Sequence, residues 1–335
     1  MTCWSDLTSD VLERITSFMP LGDYHRFSAV CKNWRLVANE KRYSPTPQLP
    51  WLVLGDEPGT RKRIFYNLSE DKHYAMDIPE LYSRYICGSS HGWLVAIDIN
   101  ITGILINPFT REFYELPLFP QYDIGMFDTT PFKNVPTDYR NGYRGNTLDR
   151  LRVSVVHKAI LSHDPKKRPD FTVMHDLDRF EGCTCFLEAR RFILESIGVL
   201  KQSYLVNCFG YLLFVVWWHQ PNEEGHFRTK YFEVIRPDFE KGEAYGLDTF
   251  DDHALFLGTN DSIFVDLSEV PGCNGKTDSI YFTDAAWRSS HEKFKFGWDD
   301  MGIFNMSNKT LETFYSHEIH HTRVGSPIWL TPNPW

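Results

Sequence analysis

Several things missing from this chain narrow what it can be. Its 335 residues hold no phosphate-loop glycine motif and no pair of C-x-x-C units. Nothing therefore points to nucleotide-phosphate cradling or a zinc site. The most apolar stretch, Tyr211 to Trp218, is far too short to cross a bilayer. Positive charge is scarce as well. The net charge is −9, residues 1–50 hold six basic and five acidic side chains, and the remainder thus carries about −10. No basic patch dominates, which argues against nucleic acid or an anionic membrane as the main partner. The seven cysteines, Cys3, Cys31, Cys87, Cys183, Cys185, Cys208 and Cys273, are odd in number and scattered. No disulfide framework is indicated, and Cys183 and Cys185, on one face of an alternating segment, read as buried structural thiols. The helical pattern begins almost at Met1, so no signal or transit peptide is expected. A reducing compartment, cytoplasm and/or nucleus, follows as the expectation, with the N-x-S/T sequons at Asn67, Asn100, Asn260, Asn305 and Asn308 unmodified.

What is present falls into two parts. Hydrophobic residues make up 42% and charged ones 24%, ordinary for a globular chain, while aromatics reach 15% and favour strands. Trp4 to Asn39 reads as three short helices. Val11, Leu12, Ile15, Phe18 and Met19 recur at helical spacing and share a face. Thr8, Ser9 and Asp10 offer oxygens to the free amides of the first turn, Pro20-Leu21-Gly22 breaks the chain, and Asp23 is placed to cap a second helix with Phe27 and Val30. A third runs through Cys31, Trp34 and Val37. About 36 residues are too few to bury a good core alone.

Pro45, Pro47 and Pro50 mark a short, stiff connector. Beyond it, β-branched and aromatic runs alternate with turn signals. Gly92 to Asp98, Ile104 to Pro108 and Thr110 to Pro117 form a template of strand, turn, strand, Asn-Pro-type turn and strand. Parts of it return at 211–216 with 230–235 and at 279–282 with 302–306 and 310–314. Arg152 to Ser162 with Phe171 to His175, and 254–256 with 262–265, fit less completely. Imperfect units every 40–50 residues are a propeller signature, and dividing about 290 residues by that period predicts around six blades. A pair of β-sandwiches is the alternative. In a propeller, 310–314 or the tail through Trp335 is expected to pair near 51–76 and close the ring.

The helical stretch resembles the F-box, whose usual pattern is L-P-x-D-L-L-x-x-I, a break, then R-F-x-x-V-C-K-x-W-R. Leu7, Asp10, Val11, Leu12 and Ile15 match the first half, and Arg26 to Arg35 the second. Thr8 stands where the family usually has proline and keeps a capping hydroxyl. The β region resembles the KIB-type propeller of plant F-box proteins at 89–95, 106–110, 255–260, 270–273, 280–284, 300–304 and 327–332. The resemblance implies a mainly β chain with an N-terminal three-helix F-box (1–44) and a KIB-type β-propeller (45–335). It also implies docking to a Skp-type adaptor, and through it to cullin and RING subunits, with the propeller holding an unknown protein target. Leu7, Thr8, Val11, Leu12, Ile15, Leu21, Phe27, Val30 and Trp34 are then the adaptor-binding candidates.

Other clusters are weaker. His317-x-x-His320-His321 lacks a completing ligand set, Asp251-Asp252-His253 lacks a nucleophile, and Lys166-Lys167-Arg168 reads as a solvated turn, with nuclear import as an alternative. Residues 121–150 lack periodicity and read as a long loop. Their Tyr139, Arg140, Tyr143 and Arg144 are interface-type side chains and the target-binding candidates, against a bland insertion. No catalytic residue, metal or cofactor is expected. An interaction protein is the leading class. The alternatives are a small-molecule binder or enzyme using the propeller channel, and a divergent F-box protein acting outside a ligase.

Overall fold

The computed structural model describes residues 4–19, 21–40, 48–57, 59–82, 84–98, 102–116, 158–168, 170, 172–176, 201–221, 227–238, 241–258, 262–270, 272–283, 300–314 and 327–333. Three helices come first: α1 (Ser9–Thr16), α2 (Leu21–Ser28) and α3 (Lys32–Asn39). Strands follow. Sheet I begins with β1 (Trp51–Asp56), β2 (Lys62–Asn67) and β3 (Lys72–Asp77). Sheet II is the meander β4 (Tyr85–Ser90), β5 (Trp93–Ile97), β6 (Gly103–Ile106) and β7 (Phe113–Leu116). Sheet III is the pair β8 (Lys158–Leu161) and β9 (Val173–Asp176). Sheet IV is a second meander, β10 (Lys201–Cys208), β11 (Tyr211–Pro221), β12 (Phe227–Asp238) and β13 (Glu243–Leu247). Sheet V holds β14 (His253–Leu257), β15 (Ile263–Asp266), β16 (Ser279–Phe282), β17 (Gly302–Asn305) and β18 (Leu311–Glu312) in the order β15-β14-β16-β17-β18, with β14 and β16 parallel. Finally β19 (Ile328–Leu330) returns to sheet I and pairs with β1.

Apolar cores lie between sheets I and II, II and III, IV and V, and V and I. Strands covered on both faces are continuous apolar runs, as in β1 and β5, while the outer strands β3, β7, β13 and β18 are largely exposed. This is a β-propeller, and the sandwich alternative falls. The expected six blades need correction: among the described residues, four sheets have four strands or more, and sheet III has two. Dividing by a fixed period failed because sheet V alone occupies 253–312, with an extra hairpin and a parallel crossover, while sheet I takes a strand from the far end of the chain.

That closure ties three sheets together. Trp51 pairs with Leu330 and Val53 with Ile328. The Trp329 indole donates to the Leu257 carbonyl at 3.2 Å, and Ser89 Oγ donates to the Trp329 carbonyl. Asn333 accepts from Asn107 Nδ2 at 2.8 Å and donates to the His91 carbonyl at 3.0 Å. Gly92, at φ 85°, has no room for a side chain: a Cβ would stand 2.2 Å from Asn333 Cβ. The expected tail pairing near 51–76 is thus made by 328–330, whereas Leu311-Glu312 pairs with β17.

The two rims differ. One carries a repeated turn between the last two strands of sheets I, II, IV and V. Asn67, Asn107, Asp238 and Asn305 each accept, through a side-chain oxygen, a backbone N–H two or three residues on, from Ser69 (2.9 Å), Phe109 (2.9 Å), Lys241 (3.1 Å) and Asn308 (3.0 Å). Four residues after each, Asp71, Arg111, Gly242 and Lys309 take φ between 54° and 67°. The short polar side chain closes the turn, and a left-handed residue releases the chain into the next strand. β1 begins at this rim, opposite Asn67, so the helical unit joins here. Leu116, Lys158, Asp176, Lys201, Phe282, Gly302 and Ile328 lie at the other rim.

Candidate partner-docking surface

The helical unit has a core of its own. Leu12, Phe27, Val37 and Ala38 are buried in it, with Leu7, Ile15, Met19 and Trp34 packed around them. Phe27 and Trp34 rings sit 4.5 Å apart, and the Trp34 indole donates to the Trp4 carbonyl at 3.1 Å. Asn33 Nδ2 donates to the Leu7 carbonyl at 3.2 Å, pinning α3 to the start of α1. Thr16, also buried, satisfies its hydroxyl on the Glu13 carbonyl at 2.9 Å.

Apolar side chains remain outside that core. Val11 is 45% exposed, Phe18 68% and Val30 57%, and Trp4 and Leu36 are exposed as well. Val11 lies on α1 next to the inward-facing Leu12, and Phe18 lies in the turn just past the C-cap Ser17. The Arg14 guanidinium lies 4.7 Å over the Phe18 ring. Five of the fourteen large apolar side chains exposed among the described residues therefore belong to residues 4–36. For a unit this small that is a large exposed apolar share.

The adaptor candidates thus divide. Val11 and Val30 face outward with Thr8, whereas Leu12 and Phe27 are interior and shape the surface from beneath. Leu7, Ile15 and Trp34 are half-buried, and Leu21 opens α2. Two capping expectations change. Thr8 is the N-cap of α1 but makes no side-chain cap; its carbonyl accepts the Val11 and Leu12 amides at 3.1 Å. Asp23 sits within the first turn of α2 and pairs with Arg26 at 2.8 Å. Trp4, Phe18 and Leu36 are additional exposed residues.

Elsewhere, His253 of the Asp251-Asp252-His253 run bonds the Phe250 carbonyl through Nδ1 at 3.0 Å and lies against Phe264. Lys166 pairs with Glu112 at 2.7 Å in a turn that Asp164 organises, accepting from the Lys166 amide and from the Trp93 indole. The Cys87 thiol is buried, which pushes its pKa up to about 12. His317, His320, His321, Cys183, Cys185 and the target candidates Tyr139, Arg140, Tyr143 and Arg144 lie outside the described residues.

A small helical unit with apolar side chains outside its own core is thus joined to one rim of a β-propeller. Comparison with known proteins places it further. The F-box domain model matches residues 4–43, and the KIB1-4 beta-propeller model matches 65–192 and 190–305. The chain belongs to the F-box proteins with a KIB1-4 β-propeller. Among Arabidopsis thaliana proteins it is similar to F-box protein At3g56470, 34% identical over 36% of this chain and 33% of that one. F-box/kelch-repeat protein At1g57790 is 32% identical over 38% and 37%, and F-box protein At1g10110 29% over 51% and 41%. The matches span about a third to two-fifths of those relatives.

Proposed function

We propose that the chain is the substrate-recruiting subunit of a Skp–cullin–F-box ubiquitin ligase, with residues 1–44 docking the adaptor and 45–335 holding the target. The surplus of exposed apolar side chains on a helical unit that already has its own core carries this reading. Val11, Phe18 and Val30 meet an apolar groove of the Skp-type adaptor, and through it the cullin and RING subunits. The chain makes and breaks no covalent bond itself. It acts by proximity, raising the concentration of target lysines near a charged conjugating enzyme. Tyr139, Arg140, Tyr143 and Arg144 are the proposed target contacts. The described strands on either side of that stretch reach Leu116 and Lys158, on the rim opposite the start of β1. The compartment is the cytoplasm and/or nucleus.

Affinity purification under proteasome block, with and without residues 1–44, tests the division of labour. The intact chain is expected to recover adaptor and target together, and the shortened chain the target alone. Equal adaptor recovery by both would overturn the proposal.

A further inference from the structure

Beyond the helical unit, sheet IV carries the largest remaining share of exposed apolar side chains. Leu205, Phe209, Tyr211, Leu212 and Tyr245, another five of the fourteen, all belong to sheet IV or its turns. The focus is the tip of the β10–β11 hairpin, Phe209-Gly210, where φ is 45° and 88°. Two consecutive positive φ values define a type I′ turn, for which Asn-Gly is the favoured pair. A phenylalanine at the first position is a costly choice for the turn, and here its ring is 66% exposed. The ring rests edge-on against Phe264 at 5.8 Å and beside His253 at 5.4 Å, so one side is backed and the other open. Beside it, the Arg236 guanidinium covers Tyr211 at 4.0 Å.

Acidic groups dominate the sheet V side of this tip. Asp251 and Asp252 directly precede His253 and are exposed, Asp266 lies 3.9 Å from His253 Nε2, and Asp248 and Asp278 follow along the same rim. Lys309 pairs with Asp248 at 3.4 Å, and on the sheet IV side Lys241 pairs with Asp238 at 3.4 Å.

We infer that the Phe209 tip and its acidic flank dock a basic segment of a partner protein, with an Arg or Lys side chain laid over the open face of Phe209 and its charge directed to Asp251 and Asp252. An exposed ring attracts a cation, and neighbouring carboxylates strengthen and orient that attraction. The same carboxylates repel phosphates, so neither nucleic acid nor an anionic membrane fits this surface. The inference goes beyond the ligase reading and does not depend on it.

The test is direct binding to the full-length protein of a short labelled peptide in which Arg and Lys flank a Leu, beside a control peptide with Glu at each basic position. Phe209→Asn removes the ring while giving the turn its preferred Asn-Gly pair, so the fold is kept. This variant is expected to weaken the basic peptide about tenfold. Asp251→Asn with Asp252→Asn is expected to weaken it about three- to tenfold, with binding falling as salt rises. The control peptide is expected not to bind. Unchanged affinity in either variant, equal binding of the control peptide, or no binding of the basic peptide to the wild type would overturn the inference.

Discussion

Asp278 shows how much one side chain organises at the edge of sheet V. Its carboxylate accepts from the Phe250 amide at 2.6 Å, Thr249 Oγ1 at 3.0 Å, and both the amide (3.0 Å) and hydroxyl of Ser307. Its φ of 54° suits Asp or Asn better than most residues. Burial works to raise its pKa, but the bonds from Ser307, Phe250 and Thr249 together hold it below the usual carboxylate range. A depressed folded pKa means that its stabilisation is present above the unfolded value, about 3.9, and is lost as pH falls through the folded one. Asp278→Asn keeps the backbone geometry and is expected to cost about 1–2 kcal/mol at neutral pH, with the deficit shrinking in acid. Urea midpoints for both proteins at neutral pH and near pH 3 check this; an equal deficit at both would contradict it. Arg63 is a deeper example. It is buried, pairs with Asp56 at 2.9 Å and donates to the Leu54, Leu81 and Arg84 carbonyls at 3.0–3.2 Å. Truncation to Ala removes the buried guanidinium that pairs with Asp56 and is expected to cost about 3–5 kcal/mol, read as a fall in the thermal midpoint. Neither role was legible in the sequence, because a charged residue inside a strand pattern gives no sign of which distant carbonyls it will meet.

At the scale of elements, the strands were legible and their sharing was not. Apolar runs such as Trp93 to Ile97 and Ile104 to Ile106 announce buried strands, and the Asn-Pro turn at 107–108 proved one copy of a design that returns at Asn67, Asp238 and Asn305. The blade count failed since a period measures chain length, whereas a blade is defined by hydrogen bonds that β19 makes across the whole sequence. In the helices, adjacent positions such as Val11 and Leu12 lie about 100° apart. Periodicity therefore could not separate the side chains that fill the unit's own core from those left outside. The closure yields the next prediction. Removing residues 327–335 bares the β1 edge and empties the Trp329 site, and the shortened protein is expected to aggregate. Gly92→Ala, which sets a Cβ against Asn333 and forces an L side chain to φ 85°, is expected to lower the thermal midpoint without aggregation. A soluble shortened protein melting like the wild type would remove the clasp from the account.

At the scale of the whole molecule, the two parts differ in how their large side chains are covered. The propeller buries Trp51, Trp93, Trp217 and Trp329 completely and gives each indole N–H an acceptor. The helical unit leaves Val11, Phe18 and Val30 in solvent. Sequence resemblance reached the family, while the division between inward and outward residues came only from the packing. That division is what a binding measurement can decide. Leu12→Ala is a poor probe, as loss of a core leucine costs about 2–5 kcal/mol and threatens the unit's fold. Val11→Asp with Val30→Asp changes the outward surface alone. Calorimetric titration of a purified Skp-type adaptor into the full-length protein and into this double variant, with equal helix content verified by circular dichroism, is the most direct test. The account predicts tight binding to the wild type and a loss of at least about a hundredfold in the variant, since burying charge in an apolar contact costs several kcal/mol. Equal affinity for the two proteins would contradict it.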